Sequence, residues 1–206
     1  MQLSNKIYIW IIALACLVSF FSSFGSKLNL IEPIFFNKFL ISFNQIQFYD
    51  FKTTYLIGNE WWRLITPMFI HFSPTHLIFN SLWIYILGRE IEQLDGKIIF
   101  IILILFASIS SNYLQYSFSG PSLFGGLSGV VYGLLGYCFV SETFLRINKF
   151  SFPPAIYIFM FVWLLIGFTG FLDLLGFGKI ANFAHLGGLL SGILSGYIFS
   201  MYNKKT

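Results

Sequence analysis

The sequence predicts an all-α membrane protein whose six transmembrane helices form a single bundle. Three observations lead to this fold class. Of the 206 residues, 57% are hydrophobic and only 10% are charged, with a mean hydropathy of +0.78, far from the balance of a soluble globular domain. Apolar runs long enough to cross a bilayer recur along the chain. Aromatic residues make up 21% of it, which is typical of lipid-facing and interfacial surfaces.

The apolar runs define six predicted spans, which together make one domain over residues 1–206. The first run follows Lys6 and can cross the hydrocarbon core at about 1.5 Å per residue; no cleavage site follows it, as a signal peptide would require. Ser73 and Pro74 favour a helix start, as N-cap and first helical residue. The predicted spans are 7–24, 74–87, 98–114, 128–145, 154–175 and 181–201.

The interval 25–73 contains no segment long enough to span a membrane. It mixes charged residues with many aromatics and is too apolar for a free linker. We therefore expect short helices lying partly in the membrane interface, for example over 33–43. Trp61-Trp62-Arg63 suits that depth, because indole rings favour the headgroup region and a guanidinium can reach water or phosphate.

Basic residues predict the topology. Six spans place both termini on one side of the membrane, and the charged connection 88–97 lies on that side too. The short loops on the opposite side carry only Lys179. The side of the termini carries seven basic residues: Lys6, Arg89, Lys97, Arg146, Lys149, Lys204 and Lys205. By the positive-inside rule, both termini are cytoplasmic. The net charge of +4 is small and scattered, so no nucleic-acid surface is predicted.

Cysteine and histidine usage limits the chemistry available. Cys16 and Cys138 lie inside apolar runs, where a thiol behaves as a small hydrophobic group, and they predict neither a disulfide framework nor a metal site. The chain has three histidines, His71, His76 and His185. We therefore predict no metal and no cofactor.

Three glycines and one serine crowd together in the stretch 124–132, just before a long apolar run. Ser128 would lie in the first turn of a helix, where free backbone N–H groups favour a developing negative charge. Flanking glycines would let a substrate backbone approach closely. Taken alone, however, the stretch is explained more simply by close packing between membrane helices.

His185 lies near the outer end of the sixth span, on a face made smooth by glycines. At about 100° per residue, three of them fall within about 60° of the imidazole: Gly188, Gly192 and Gly196. The fourth span has a matching face within an arc of about 100°: Ser128, Gly129, Tyr132 and Gly136. If the two faces meet, His185 can act as general base for a Ser128 nucleophile, with Tyr132 against its ring. The alternative is a hydrogen bond that only joins helices.

His76 and Asn80 lie one turn apart on the second span, and both carry side-chain donors. Together with the Ser128 N–H they could stabilise an oxyanion; the alternative is simply a polar helix start. No acidic residue is placed to complete a triad, since Asp173 is nearer an outer loop and Glu142 is at the opposite end of its span. A two-residue serine–histidine site is the remaining arrangement.

Four short motifs occur in order along the chain: Trp62-Arg63, His76-x-x-x-Asn80, Gly126-Leu127-Ser128-Gly129 followed by Tyr132, and Ala184-His185-x-x-Gly188-x-x-x-Gly192. Together they resemble the rhomboid family of intramembrane serine proteases, specifically the bacterial GlpG type. The match runs from the first loop through the sixth span. It implies a six-helix rhomboid bundle with a long, partly membrane-embedded first loop.

The resemblance also implies roles for individual residues. Ser128 would be the nucleophile and His185 the general base. The oxyanion site would comprise His76, Asn80 and the Ser128 N–H, with Gly126 as a nearby backbone partner. Tyr132 would pack under His185. His71 and the Trp62-Arg63 pair would be structural.

The implied function is hydrolysis of peptide bonds in or next to transmembrane segments, through an acyl-enzyme. The expected partners are transmembrane protein substrates and membrane lipids, and the expected location is a bacterial inner membrane with the site open to the periplasm. The fifth span and the segment 121–127 are expected to move as gates. A non-catalytic rhomboid-fold chaperone or adaptor is the alternative; a transporter would require charged residues near mid-membrane or inverted repeats.

Three departures from the family pattern stand out. The chain begins almost at the first span, so the cytoplasmic N-terminal domain of longer GlpG-type proteins is expected to be missing. Arg89 occupies a position that is often glycine, and Phe183 occupies a position that is often small. We expect either residue to alter local packing without abolishing activity.

Overall fold

A computed structural model describes residues 6–43, 45–145, 149–174 and 180–203. Its helices, in chain order, are α1 (Ile7–Phe21), α2 (Leu28–Ile31), α3 (Pro74–Trp83), α4 (Arg89–Leu94), α5 (Gly96–Ser119), α6 (Ser128–Phe139), α7 (Pro154–Gly167), α8 (Phe171–Leu174) and α9 (Asn182–Asn203). Two strands, β1 (Phe39–Ser42) and β2 (Gln45–Phe48), form a hairpin. Short 3₁₀ segments occupy Glu32–Ile34, Trp61–Leu64 and Thr66–Phe69, and π-helical segments occupy Lys52–Ile57, Ile84–Gly88 and Val140–Phe144.

Each predicted span overlaps with helical residues in the described part of the chain. Within the described ranges one helix, α5, is by itself long and apolar enough to cross a membrane, with 24 residues, and α1 and α7 are shorter apolar helices. The π-helical segment Ile84–Gly88 extends α3, and Val140–Phe144 extends α6. The fifth predicted span is shorter than expected, because α7 ends at Gly167 and the chain turns at Gly170, which has a φ of +75°.

The predicted connection 88–97 is largely helical. The helix that begins as α3 continues through the π-helical segment into α4 and ends at Leu94. Arg, Glu and Gln have high helix propensity, so charge alone does not end a helix. The buried Glu92 carboxylate accepts the N–H groups of Ile7 and Tyr8, each at 3.0 Å. It thereby satisfies free donors at the start of α1.

The long first loop is not built from short helices alone, and the all-α prediction is wrong there. β1 and β2 pair antiparallel, with Phe39 opposite Phe48 and Ile41 opposite Ile46. These four residues share one face of the hairpin because side chains alternate along a strand. Phe39 belongs to a buried cluster with Ile31, Phe35 and Ile70, and Ile46 and Phe48 pack against that cluster. An alternating apolar pattern therefore overrides the predicted interfacial helix.

Arg63 anchors the first loop from inside the protein. Its side chain is 2% exposed and donates to the carboxylates of Glu32 and Glu60 and to the carbonyl of Phe35, the last at 3.1 Å. The expectation that this guanidinium reaches water or phosphate is wrong, because its charge is compensated by carboxylates of the same loop. Although burial alone would raise it, hydrogen bonds from Arg63 and Lys38 hold the pKa of Glu60 below its ordinary value.

The centre of the bundle is the contact between α6 and α9. Every residue of α6 from Gly129 to Cys138 is buried. A Cβ atom built on Gly188 would lie 1.9 Å from the carbonyl oxygen of Gly129, and one on Gly192 would lie 1.9 Å from that of Gly133. The two glycine faces therefore meet backbone to backbone. This contact places the first turn of α6 beside the second turn of α9.

Several residues used for the topology prediction lie outside the described ranges: Arg146, Lys179, Lys204, Lys205 and the turn 176–179. Of the other basic residues on the same predicted side, Lys149 forms an ion pair with the buried carboxylate of Asp95. The ammonium of Lys6 lies 5.7 Å from the ring centre of Tyr8.

Candidate active site

Ser128 is the first residue of α6, as predicted. The chain reaches it through Gly126, whose φ of +120° is a conformation that glycine adopts without strain. The first helical hydrogen bond runs from the N–H of Val131 to the carbonyl of Leu127, at 2.9 Å. The earlier N–H groups of a helix have no intrahelical acceptor, so the backbone donors at Ser128 are available to a bound group.

The structure brings Ser128 and His185 together. Ser128 Oγ and His185 Nε2 are 2.8 Å apart, although the residues are 57 positions apart in the chain. The ring of Tyr132 is stacked on the imidazole, with centres 4.8 Å apart and planes inclined by 27°. The Tyr132 hydroxyl donates to the carbonyl of Met160 at 3.0 Å. The histidine is thus held between the serine and a phenol ring that is itself fixed to α7.

In the described part of the chain, the other imidazole nitrogen of His185, Nδ1, has no hydrogen-bond partner and is buried. A serine nucleophile needs Nε2 free to accept its proton, which places the ring hydrogen on Nδ1. An acidic residue commonly orients the imidazole in hydrolytic triads. In this structure the imidazole is instead stacked against the ring of Tyr132.

His76, Asn80 and Gly126 lie around one point beside Ser128. A Cβ atom on Gly126 would lie 2.6 Å from His76 Cε1 and 3.5 Å from Asn80 Nδ2. The start of α3 is fixed by the Ser73 hydroxyl, which accepts the N–H of His76 at 3.2 Å. A cavity of about 30 Å³ is lined by His76, Asn80, Ser128, Tyr132, Trp163 and His185, among others. That volume accommodates one water molecule or a small part of a substrate.

His71 has a larger part in this arrangement than its expected structural role suggests. The N–H of Leu127 lies 3.3 Å from its Nε2, which must therefore accept, and the Asn80 amide nitrogen lies 3.2 Å from the same atom. Burial lowers the pKa of His71 to about 3, which keeps the ring neutral and Nε2 an acceptor. His71 therefore holds both Asn80 and the residue before Ser128. Histidine is rare in this sequence, with three residues in the chain, and that rarity could have drawn attention to His71.

Polar residues of α5 complete the surroundings of Ser128 and were not selected from the sequence. Gln115 accepts the N–H of Ala184 at 3.1 Å, next to His185. The Ser111 hydroxyl is buried between Gly129 and Gly188 and lines a second cavity, of about 10 Å³, that also reaches Ser128. Polar side chains inside an apolar span are costly. Ser111 lies inside the predicted span 98–114 and Gln115 directly follows that span. These polar residues could have been selected as candidates from the sequence.

Within the described ranges, no three His, Cys, Asp or Glu side chains are grouped closely enough to hold an ion. Cys16 is exposed and Cys138 is buried, and both thiols are free. The polar groups at the cavity are the hydroxyl, imidazole and amide groups described above.

Comparison with known proteins identifies the family. A family model described as the rhomboid domain matches residues 58–202, which is most of the chain and includes every motif residue from Trp62 to Gly192. The chain belongs to the rhomboid family. This result confirms the resemblance predicted from the four motifs, and it makes the chain a mostly helical rhomboid membrane protein.

Similar rhomboid sequences include three curated proteins named rhomboid protease GlpG. The protein from Serratia proteamaculans is 39% identical over 136 residues, which cover 66% of this chain and 47% of the relative. That from Haemophilus influenzae is 36% identical over 149 residues, covering 72% and 74%. That from Klebsiella pneumoniae is 34% identical over 146 residues, covering 71% and 51%. The aligned region thus spans about half the length of two of these relatives.

Proposed function

We propose that this rhomboid chain is a serine endopeptidase that cleaves peptide bonds in or next to transmembrane segments of membrane proteins. The observation that carries the proposal is the 2.8 Å contact between Ser128 Oγ and His185 Nε2. This contact lies at the edge of a cavity that His76, Asn80 and Tyr132 also line. Family membership supports it, because the similar proteins from three bacteria are named proteases.

The reaction begins with attack of Ser128 Oγ on the carbonyl carbon of the scissile bond. As the new C–O bond forms, the hydroxyl proton moves to His185 Nε2. The carbonyl oxygen becomes an oxyanion and accepts hydrogen bonds from the Ser128 N–H and from the side chains of His76 and Asn80. The Asn80 amide has two N–H donors, so it can contact His71 and the oxyanion at once.

Collapse of the tetrahedral intermediate breaks the C–N bond. His185 gives its proton to the leaving amine, and an acyl-enzyme remains on Ser128. A water molecule then loses a proton to His185, attacks the acyl carbon and releases the acid product with restored Ser128. Gly126 leaves the space that the substrate carbonyl requires, because any side chain there would meet His76.

Substrate access is proposed to occur between α3 and α7. The rings of Phe79 and Trp163 stack across this boundary, with centres 5.1 Å apart and planes inclined by 19°. In α7 the buried residues are Met160, Leu164 and Gly167, and many of its other residues face outward. A substrate helix must locally unwind at the site, because helical carbonyls are occupied by intrahelical hydrogen bonds.

The membrane arrangement follows from the same proposal. Six spans cross a bacterial inner membrane with both termini cytoplasmic, and the ends of the second, fourth and sixth spans that carry His76, Ser128 and His185 open toward the periplasm. Lipid surrounds the apolar outer faces. The long first loop, including the hairpin, lies at the periplasmic boundary.

Labelling with a fluorophosphonate probe tests the catalytic assignment. Wild type should be labelled, whereas Ser128→Ala and His185→Ala should not. Ser195→Ala is a matched control, since Ser195 is also a buried serine and bonds only to the Ser191 carbonyl within the described structure; it should label like wild type. Equal labelling of all four proteins would refute the dyad. Binding of a transmembrane peptide without cleavage by wild type would favour the non-catalytic chaperone or adaptor.

A further inference from the structure

A further cleft, separate from the two cavities beside Ser128, lies at the end of the bundle away from that residue. His76 is beside the active site, and the helix that contains it continues for 13 residues to Arg89, a distance of about 20 Å at 1.5 Å per residue. There the cleft has a volume of about 390 Å³. One wall carries Tyr85, Arg89 and Glu90, and the other is the segment 150–152 that leads into α7.

Arg89 supplies an uncommitted positive charge to this cleft. Its side chain is exposed, and among the described residues it has neither an ion-pair partner nor a hydrogen-bond acceptor. The nearby Lys149 is already paired with Asp95. Glu90 also lines the cleft, but it forms no ion pair with Arg89 within the described residues. The catalytic mechanism uses neither side chain.

The position of the cleft relative to the apolar helix favours a lipid headgroup. Arg89 comes directly after the apolar segment Ile84–Gly88, where a long cationic side chain reaches the boundary between hydrocarbon and water. Tyr85 and Phe152 give the cleft aromatic walls, which are favoured at that depth. Basic pockets between transmembrane helices bind anionic lipid headgroups, in which a guanidinium recognises the phosphate.

Arg89 and Glu90 carry opposite charges in the same cleft, which narrows the choice of lipid headgroup. A guanidinium binds a phosphate through two parallel hydrogen bonds, and hydroxyls such as those of Tyr85 and Ser151 add donors. A carboxylate beside it accepts hydrogen bonds from a primary ammonium and repels a headgroup that is only anionic. We propose that this cleft binds the headgroup of an aminophospholipid, phosphatidylethanolamine, with Arg89 on its phosphate and Glu90 on its ammonium.

Such binding would act on the start of α7. The N–H of Phe152 donates to the Glu142 carboxylate at 3.2 Å, and the Tyr157 hydroxyl donates to the same carboxylate. Glu142 therefore ties the cleft wall to the first turn of α7, whose later residues Met160 and Trp163 line the catalytic cavity. The headgroup would hold the end of α7 that lies away from the active site. Binding itself does not depend on proteolysis.

Lipid retention measured by native mass spectrometry tests the proposal. Purified, delipidated full-length protein is mixed with equal amounts of phosphatidylethanolamine and phosphatidylglycerol, and the bound lipids are counted. Wild type should retain phosphatidylethanolamine in preference. Arg89→Gln should weaken its retention about tenfold, as expected for loss of one charge-assisted contact. Glu90→Gln should still bind phospholipid but without the preference for phosphatidylethanolamine.

Lys97→Gln is the matched control, because it removes the same charge at the same end of the bundle without lining the cleft. It should behave as wild type. Melting temperatures of all variants show whether each is folded. Retention by Arg89→Gln equal to that of wild type, or an unchanged preference in Glu90→Gln, would overturn the proposal. Neither result would bear on Ser128, which the fluorophosphonate probe tests separately.

Discussion

Substitution of Gly188 by alanine tests whether the backbone contact between α6 and α9 sets the catalytic distance. The added methyl group would lie 1.9 Å from the carbonyl oxygen of Gly129 and 2.8 Å from its carbon. A carbon–oxygen contact normally lies at about 3.3 Å or more, so the two helices would have to separate by roughly 1.4 Å. No flexible side chain can move aside, because the atoms in the way belong to a helix backbone.

That separation would break the hydrogen bond between Ser128 and His185. Adding it to the present 2.8 Å takes Oγ and Nε2 to about 4 Å, beyond hydrogen-bond reach. Displacement of a catalytic group by about 1 Å commonly costs on the order of 100-fold in rate. Overpacking of this kind also destabilises a protein by about 1–3 kcal/mol. We therefore expect Gly188→Ala to lose at least about 100-fold in turnover and to melt at a lower temperature.

The assay is cleavage of a fluorogenic transmembrane substrate, with fluorophosphonate labelling and thermal melting of the same preparations. Assays below the melting temperature separate loss of alignment from loss of fold. Gly196→Ala is the control on the same glycine face, because its methyl group would lie 2.8 Å from the Val140 side chain, farther from the active site. It should lose much less activity. Wild-type turnover by Gly188→Ala would refute the argument that this contact sets the distance.

Two further predictions concern the support of His185 and the anchoring of the first loop. Tyr132→Phe keeps the ring stacked on His185 and should retain most of the turnover, whereas Tyr132→Leu should lose about tenfold or more through misplacement of the imidazole; equal rates for the two variants would show that stacking is not the support. Because the folded-state pKa of Glu60 is lowered, its contribution to stability is present above the unfolded value of about 4.3 and is lost as the pH falls through the folded value. The melting temperature of wild type should therefore fall as the pH is lowered below about 4.3, and the same fall in Glu60→Gln would contradict the assignment.

Local patterns were sufficient to place the helices that carry the site. Apolar runs locate the longer helices of the described structure, and the Ser73-Pro74 signal marks the start of α3, where the Ser73 hydroxyl accepts the N–H of His76. Capping and apolar periodicity act over a few residues, so they can be read without knowledge of the fold. The glycine spacing likewise predicts which face of α9 can approach another helix.

Contacts between distant segments could not be read in this way. The first loop forms a hairpin where short helices were expected, because strand formation depends on the cluster around Ile31 that receives its apolar face. Arg63 is buried although its sequence neighbourhood suggested an interfacial position, since Glu32, 31 residues away, accepts from it. His71 gained its role from contacts with Leu127 and Asn80. Each of these outcomes depends on a partner that the local sequence does not specify.

Ser128 and His185 show the same difference between what the local sequence determines and what the tertiary structure determines. The serine, the histidine and the glycines beside them were identifiable in the sequence, because small residues at helical spacing and rare polar groups in apolar spans are visible there. The 2.8 Å separation of Ser128 and His185 is a property of the packed bundle. It exists because the backbones of α6 and α9 touch at Gly129 and Gly188, and such a contact forms only when both helices are in place.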